Sequence, residues 1–267
     1  MISDYSEVRD LVNKTKQTGL CLLTNFYPDE SKISFWISQG MLSFFENEGT
    51  LFILRRHFDF YYLFFLSTRI ENLENTLKLL LTTTTNRFVI DFIERGKETG
   101  ILPLLFERIG LKHHETLLRM VMKSSHGSNF QVPEGNNMFA KIDDTSLIFR
   151  FLTERLDPFS EQIPTQDEIK LMIQRDQLLI LKEGCEIGGI LYFEKNGVIS
   201  HLKEWLVDER FRDKHFGSLL INHYFSLNSD CSRFILWVKK DNHHAIEIYR
   251  HYGYLTENIN DMIFVNL

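Results

Sequence analysis

Residues 204–220 read EWLVDERFRDKHFGSLL, and this stretch decides how the second half of the chain folds. Its apolar beginning is typical of the end of a strand, its charged middle predicts a turn, and the apolar residues after Gly217 predict a helix. Unpaired amides at a helix N-terminus and the helix dipole attract anions, and a glycine there lets phosphate oxygens approach closely. The stretch is therefore either an ordinary helix start or a site for a pyrophosphate group.

A second pattern follows in residues 237–254, WVKKDNHHAIEIYRHYGY. Asn242, Ala245 and Tyr249 are separated by three and four residues, which places them along one side of a helix. Gly253 is the type of residue at which a helix ends. The pattern predicts a buried strand followed by a helix that presents Asn242 and Tyr249 on the same side.

The elements around these two stretches follow from hydrophobic periodicity, capping and turn residues. For the second half the sequence predicts a strand at 138–142, helices at 146–156 and 165–175, strands at 178–182, 187–194 and 198–207, a helix at 214–227, a strand at 233–238, a helix at 242–252 and a strand at 261–265. The predicted order is β-α-α-β-β-β-α-β-α-β.

Both stretches and this element order resemble the GNAT superfamily of acyl-CoA-dependent N-acyltransferases. Residues 212–217 are similar to its Arg/Gln-x-x-Gly-x-Gly/Ala pyrophosphate loop, and residues 242–254 to its Asn-x-x-Ala-x-x-x-Tyr-x-x-x-Gly-aromatic helix. The resemblance implies an α+β fold with a mixed, mostly antiparallel sheet flanked by helices. It also implies direct transfer of an acyl group from acetyl-CoA or another acyl-CoA to an amine, without a metal.

The resemblance also assigns coenzyme contacts in this sequence. They lie at a strand end, in the loop and on two helices: Leu206, Val207, Arg212, Lys214, His215, Phe216, Gly217, Ser218, Asn242 and Tyr249. The amides of residues 216–218 would bind the pyrophosphate, and the backbones of residues 206–207 would bind the pantetheine arm. A bulge that separates two parallel strands would open the cleft for the thioester.

One residue departs from the family pattern, because His215 occupies the first glycine position of the loop motif. Its side chain would have to point away from the phosphates, or the residue would have to avoid positive φ. The substitution is expected to weaken coenzyme binding or to be simply tolerated. A less favoured alternative is that His215 adds partial positive charge beside the pyrophosphate.

Two residues are candidates for proton transfer. An alkyl amine has a pKa near 10, so a base must remove its proton before attack, and Glu204 is positioned for this role through a water molecule. His201 is the second candidate. It lies on the same strand, three residues from Glu204, so strand alternation predicts that the two side chains point to opposite faces. Tyr249 would protonate the leaving thiolate, the role that the resemblance implies. The alternatives are a solvated strand glutamate and a core tyrosine.

The first half reads as a related unit. Residues 124–137, SSHGSNFQVPEGNN, are typical of a linker between a domain at 1–123 and a domain at 138–267. The predicted elements of the first half are helices at 5–16, 29–38, 70–81 and 100–109, and strands at 41–45, 51–55, 60–66, 87–93 and 117–122. Phe106 and Gly110 precede Tyr249 and Gly253 by the same offset, 143 residues.

The first half lacks the chemistry of the second. Only Ser67, Thr68 and Arg69 separate its third strand from the next helix, without a glycine, and Phe106 stands where the second half has Tyr249. We therefore expect a degenerate GNAT-like half that packs against the catalytic half and walls off the acceptor site. The alternative is that any two α+β segments of this length can be aligned.

Composition limits the class of protein. The net charge is −6 with a pI near 5.9 and no basic run, which argues against nucleic acid as a partner. The most apolar window, residues 58–66, is shorter than a membrane span, and no signal peptide is evident, so a cytoplasmic monomer or homodimer is expected. The three cysteines, at 21, 185 and 231, predict buried reduced thiols and neither disulfides nor a metal site.

The sequence leaves the acceptor open. Residues 138–267 contain 15 basic and 20 acidic side chains, which weakly favours a cationic amine on a small molecule or peptide. The main alternative is a non-catalytic acyl-CoA-binding sensor or scaffold module. Aminoacyl transfer from a charged tRNA is disfavoured by the acidic balance.

Overall fold

The computed structural model of the protein describes residues 2–19, 22–27, 29–96, 100–123 and 138–266. The helices are α1 (Tyr5–Lys16), α2 (Glu30–Ser38), α3 (Ile70–Thr83), α4 (Ile101–Arg108), α5 (Thr145–Thr153), α6 (Gln166–Gln174), α7 (Phe216–Leu227) and α8 (His243–His251). The strands are β1 (Leu23–Thr24), β2 (Leu42–Asn47), β3 (Thr50–His57), β4 (Phe60–Ser67), β5 (Arg87–Arg95), β6 (Lys112–Lys123), β7 (Leu178–Glu183), β8 (Glu186–Asn196), β9 (Ile199–Val207), β10 (Arg233–Lys239) and β11 (Leu255–Val265). Within these described ranges, no helix is long and apolar enough to cross a membrane.

The chain forms two compact units, and each contains a strand from the other half of the sequence. The first unit comprises Met1–Thr116 and Ile259–Leu267, and the second comprises Leu117–Asn258. The strand order is β2-β3-β4-β5-β11 in the first unit, with β1 beside β4, and β6-β10-β9-β8-β7 in the second. Most of β6 therefore completes the sheet of the second unit, and most of β11 completes that of the first.

Local sequence signals explain most element boundaries. Thr165 and Glu168 form the predicted capping box at the start of α6. Gly197 adopts φ +55° in the turn between β8 and β9, as expected for an Asn-Gly hairpin. The predicted linker at 124–137 lies outside the described residues.

Three sequence-based expectations have a different outcome. The predicted strand at 138–142 is reduced to a single bridge between Phe139 and Leu179, followed by a 3₁₀ turn at Ile142–Asp144. The two-residue strand β1 was not predicted, because it is too short to show alternation. Cys231 is buried but Cys185 is exposed, and Cys21 lies outside the described residues.

The two halves share a detailed structural feature at the predicted offset of 143 residues. Gly110 and Gly253 end α4 and α8 with φ values of +96° and +92°. The amide after each glycine donates to the carbonyl five residues earlier, at 3.0 Å in both cases, to Phe106 in one half and Tyr249 in the other. The same helix-ending geometry therefore occurs at positions that the sequence pattern predicted to correspond.

The phenylalanines of the first unit form its core. Phe106 is fully buried, and its ring lies 6.0 Å from Phe65 and 5.2 Å from Phe264. Since Phe264 belongs to β11, the last strand of the chain is packed into this core as well as paired with β5. Aromatic packing thus replaces the hydroxyl that Tyr249 supplies in the second unit.

In the first unit, two parallel strands separate and the chain fills the gap. β4 and β5 pair only over Phe60–Tyr62 and Arg87–Val89. Beyond this point the buried Asn25, directly after β1, donates through Nδ2 to the carbonyls of Leu63 (3.1 Å) and Asp91 (2.9 Å). Its Oδ1 accepts from the amide of Phe65 at 2.7 Å. One side chain therefore hydrogen-bonds three backbone groups that face the gap between the separated strands.

The Asn25→Ala substitution should lower the free energy of unfolding by roughly 3 kcal/mol, because three buried or part-buried backbone groups each lose a hydrogen bond. Urea unfolding measures the change. The control is Tyr27→Phe, which removes a hydrogen bond to Thr24 from an exposed side chain and should cost less than about 0.5 kcal/mol. Equal effects of the two substitutions would contradict this account of the gap.

Candidate active site

A bulge in β9 determines which face of the second sheet Glu204 occupies. Tyr192 pairs with Glu204 and Phe193 pairs with Leu202, so Lys203 is an extra residue in β9. Without the bulge, Leu202 and Glu204 would lie on the same face; with it, they lie on opposite faces. His201 pairs with Glu194, two residues from Tyr192, so His201 and Glu204 share a face. The prediction that these two residues have opposite parity was therefore wrong.

The two parallel strands of the second unit also separate. β9 and β10 pair over Ile199–Leu202 and Arg233–Leu236 only. After Leu202, none of the described residues forms a strand pair with the side of β9 that had faced β10. Leu206 and Val207 lie in this unpaired segment of β9. This is the separation that the family resemblance implied. In the first unit, the corresponding gap is filled by Asn25.

Helix α7 begins beside this gap. Leu219 donates to the carbonyl of His215 at 3.0 Å, so the amides of Phe216, Gly217 and Ser218 precede the first helical hydrogen bond. A Cβ on Gly217 would lie 3.3 Å from Cζ2 of Trp205, so a side chain there would crowd the indole ring. Three amides at the N-terminus of a helix are a type of site to which anions can bind, and they are the three that the sequence analysis assigned to the pyrophosphate.

His215 adopts the left-handed conformation that the motif glycine would take. Its φ and ψ are +57° and +22°, and its side chain is exposed. The residue therefore does not avoid positive φ, and the loop keeps its backbone course despite the substitution. Histidine is among the residues that tolerate this region better than most non-glycine residues.

The other charged residues predicted in the loop form ion pairs at the surface. Arg212 pairs with Glu209 at 2.7 Å and Lys214 pairs with Glu183 at 2.6 Å. Both lie in the 3₁₀ segment Glu209–Lys214, which joins β9 to α7. A coenzyme phosphate would have to compete with these carboxylates for the two cations.

A buried aspartate that the sequence analysis did not single out organises this segment. Asp208 follows β9 and accepts hydrogen bonds from the backbone and guanidinium of Arg210 (3.0 Å each) and from Arg155 (2.6 Å). These hydrogen bonds, those of Arg210 above all, hold the pKa of Asp208 well below its ordinary value. An aspartate between a strand and a helical segment is an N-cap signal that could have identified it.

Two glycines in β8 were also missed, and they allow α7 to approach the sheet. A Cβ on Gly188 would lie 2.4 Å from Cε2 of Phe216, and one on Gly189 would lie 2.9 Å from Cδ1 of Leu220. A side chain at either position would push the start of α7 outward. Paired glycines inside a predicted strand are the sequence signal for such a close approach.

Glu204 lies in an environment that favours its neutral form. Its side chain is half-buried, and burial, followed by the charge of Glu161, raises its pKa to about 8. Lys203 and Lys239 oppose this shift in pKa. A carboxyl group with a pKa near 8 accepts a proton from an ammonium group far more readily than an ordinary glutamate does.

Tyr249 lies on the opposite face of the sheet, on α8. Its ring centroid is 5.8 Å from that of Trp205. Trp205 pairs with Leu191, which belongs to the core that α7 and α8 cover, so its side chain points away from the face that holds Glu204. Burial, and then the charge of Glu204, raise the pKa of Tyr249 above its ordinary value. The structure therefore brings Glu204 and Tyr249 within electrostatic range from the two faces of the separated strands.

Asn242 has a structural role at the start of α8. Its Oδ1 accepts a hydrogen bond from the amide of Ala245 at 3.1 Å, which makes it the N-cap of the helix. Only its Nδ2 is left for the predicted contact with the pantetheine arm. The described residues include no group of three or more His, Cys, Asp or Glu side chains arranged to hold a metal ion.

Comparisons with known proteins agree with this geometry. Residues 145–254 match the model of the Acetyltransferase (GNAT) family. No curated protein sequence matches the chain at a significant level. Residues 145–254 are therefore similar to the GNAT acetyltransferases, a family that uses acyl-CoA as cosubstrate.

Similar solved structures extend the likeness to the whole chain. One is a tandem GNAT protein from the clavulanic acid biosynthesis pathway, with a TM-score of 0.61 and 9% identity over 99% of this chain and 96% of that one. Another is a GCN5-related N-acetyltransferase from Sphaerobacter thermophilus, with a TM-score of 0.55 and 13% identity over 97% of this chain and 90% of that one. These likenesses confirm the predicted fold class and its tandem arrangement.

The Asp208→Asn substitution should lower the free energy of unfolding by about 2 kcal/mol, since hydrogen bonds between a buried carboxylate and two guanidinium groups are weakened. A depressed pKa stabilises the fold above the unfolded value of 3.8, and this contribution is lost as pH falls further. The difference between the two proteins should therefore shrink only below about pH 4. Urea unfolding at several pH values measures it.

The matched control is Glu209→Gln, which removes a carboxylate that is 80% exposed and pairs with Arg212. It should change stability by less than about 0.5 kcal/mol. A pH-independent loss in Asp208→Asn would show that the carboxylate charge does not organise the segment.

Proposed function

We propose that the second unit is an N-acyltransferase that moves an acyl group, in the simplest case acetyl, from acyl-CoA to a primary amine of a small molecule or peptide. The observation that supports this most strongly is the gap between β9 and β10, with Glu204 on one face and Tyr249 on the other. The helix start at Phe216, Gly217 and Ser218 lies beside it.

The described residues fit the coenzyme. Leu206 and Val207 lie on the edge of β9 that β10 no longer covers, where backbone groups are suited to the amides of a pantetheine arm. The first unit supports this role for backbone groups in the gap. There the amide side chain of Asn25 hydrogen-bonds backbone groups of the separated strands, as the amides of a pantetheine arm would in the second unit. The amides at the start of α7 suit the pyrophosphate.

The proposed chemistry divides between the two titratable groups. Acyl-CoA supplies the acyl group as a thioester. Glu204 takes a proton from the acceptor amine through a water molecule, which leaves the nitrogen lone pair free to attack. Tyr249, which is protonated at neutral pH, donates its proton to the sulfur as the C–S bond breaks, and the acylated nitrogen returns its second proton to Tyr249 as the amide forms. No covalent intermediate with the protein is needed.

A non-catalytic acyl-CoA-binding module is the second candidate, and His215 favours it. His215 adopts the left-handed conformation of the motif glycine but has a side chain, and this side chain lies directly before the amides of the proposed phosphate site. Tight binding of acetyl-CoA, without transfer to any member of a broad amine panel, would support this candidate over the enzyme.

The Glu204→Gln substitution should lower kcat by roughly 100-fold and remove an ionisation near pH 8 from the profile of kcat/KM. Release of free thiol from acetyl-CoA measures both. His201→Gln is the control, since His201 lies on the same face and is the second candidate base. If His201→Gln removes the ionisation and Glu204→Gln does not, the base is His201.

Stability gives an independent check on Glu204. Because its folded pKa is raised, wild-type stability is lost as pH rises from about 4.5 to about 8. The Tm of Glu204→Gln should therefore increase relative to wild type over this range and level off above it. A constant difference in Tm would contradict the raised pKa.

The Tyr249→Phe substitution should lower kcat by roughly 10- to 100-fold and leave the affinity for acetyl-CoA unchanged, because it removes only the proton donor. Tyr252→Phe is the matched control, since its ring also lies 5.8 Å from Trp205. Thiol release measures turnover and calorimetry measures affinity. Similar losses in both variants would rule out a specific role for the Tyr249 hydroxyl.

A further inference from the structure

The loop between α5 and α6, residues 154–165, is bonded to both separated strands. Arg155, near its start, binds Asp208, which directly follows β9. Glu161, near its middle, binds Lys239, the last residue of β10, with 3.1 Å between Oε1 and Nζ. One loop thus forms an ion pair with each strand beyond the point where the two stop pairing.

The loop itself is well ordered by internal contacts. Leu156 and Ile163 are buried in the same core as Tyr192. The amide of Asp157 donates to Oε2 of Glu161 at 2.6 Å. The two carboxylate oxygens of Glu161 are therefore used differently: one closes the loop, and the other binds Lys239.

The loop lies on the Glu204 face of the sheet. Glu204 pairs with Tyr192, whose ring packs in the core that holds Leu156 and Ile163. Tyr249 lies on the other face. An amine that reaches Glu204 from its own face must therefore approach past the 154–165 loop.

Glu204 interacts with charged and titratable groups of the loop, the sheet and α8: Glu161, Lys203, Lys239, Tyr192 and Tyr249. His201 and Glu194 lie on the same face of the sheet. Glu161 opposes ionisation of Glu204, whereas Lys203 and Lys239 favour it. The two partners of the ion pair therefore have opposite effects on the same carboxyl group.

We infer that the Glu161–Lys239 ion pair is a positioning device that holds the 154–165 loop over the gap and controls how the acceptor amine reaches Glu204. The inference rests on the proposed function in one respect, the role of Glu204 as base. The acceptor class it favours is a cationic amine, because the carboxylate of Glu161 lies on the same face as Glu204 and attracts an ammonium group.

Two substitutions that break the same ion pair distinguish this inference from a purely structural role. Glu161→Gln removes a negative charge near Glu204 and should lower the pH of its ionisation by about 0.5 units or more. Lys239→Met removes a positive charge and leaves Glu161 unpaired, so it should raise that pH by a similar amount. Both should increase KM for the acceptor several-fold and leave KM for acetyl-CoA within about two-fold.

The ionisation of Glu204 is measured in two ways. The first is the pH profile of kcat/KM. The second uses ligand-free protein and compares the pH dependence of Tm of each variant with that of the same variant that also carries Glu204→Gln. The control is Lys170→Met, which breaks an exposed ion pair with Asp167 on α6 and should shift neither measurement. The ligand-free measurement does not depend on catalysis.

A several-fold higher KM for the acceptor in both Glu161→Gln and Lys239→Met, together with opposite shifts of the ionisation, would support the inference. An unchanged KM for the acceptor in either variant, or shifts in the same direction or none, would overturn it. If the shifts are opposite in ligand-free protein but Glu204→Gln retains full turnover, the ion pair acts on Glu204 as inferred, and the proposed base is wrong.

Discussion

The separation of two parallel strands imposes one requirement on each unit of this protein. When strands stop pairing inside a fold, their facing N–H and C=O groups lose partners, and buried backbone groups must find others. The first unit meets this requirement with its own chain: β1 pairs with β4, and the Asn25 amide bonds both β4 and β5. In the second unit, the described residues provide no such segment between β9 and β10. The proposed function assigns that place to the coenzyme arm.

Under the proposed function, this contrast distinguishes a half that binds the coenzyme from a half that does not. In the first unit, Phe106 stands at the position of Tyr249 and is fully buried among aromatic rings. Its connection between β4 and α3 is too short to form a phosphate loop. The second unit keeps a longer connection, which a buried aspartate and two arginines hold in place. The same fold thus supports aromatic packing in one half and a polar, charged site in the other.

The sequence was sufficient where the signal is local. The hydrophobic periodicity predicted α1 to the residue, the capping box predicted α6, and the constant offset predicted the matching helix ends at Gly110 and Gly253. It was insufficient where an outcome depends on pairing between distant segments. The bulge at Lys203 depends on register with β8, and without it the parity of His201 and Glu204 is misjudged. The placement of β6 and β11 in opposite units is another such case, since strand periodicity does not specify the partner.

The central claim is that the gap in the second unit, and not the gap in the first, is the coenzyme site. A crystal structure with acetyl-CoA tests it most directly. The account predicts one coenzyme per chain, with its arm along β9 beside Leu206 and Val207 and its pyrophosphate at the amides of residues 216–218. Coenzyme between β4 and β5 with Asn25 displaced, or none bound at saturating concentration, would contradict it.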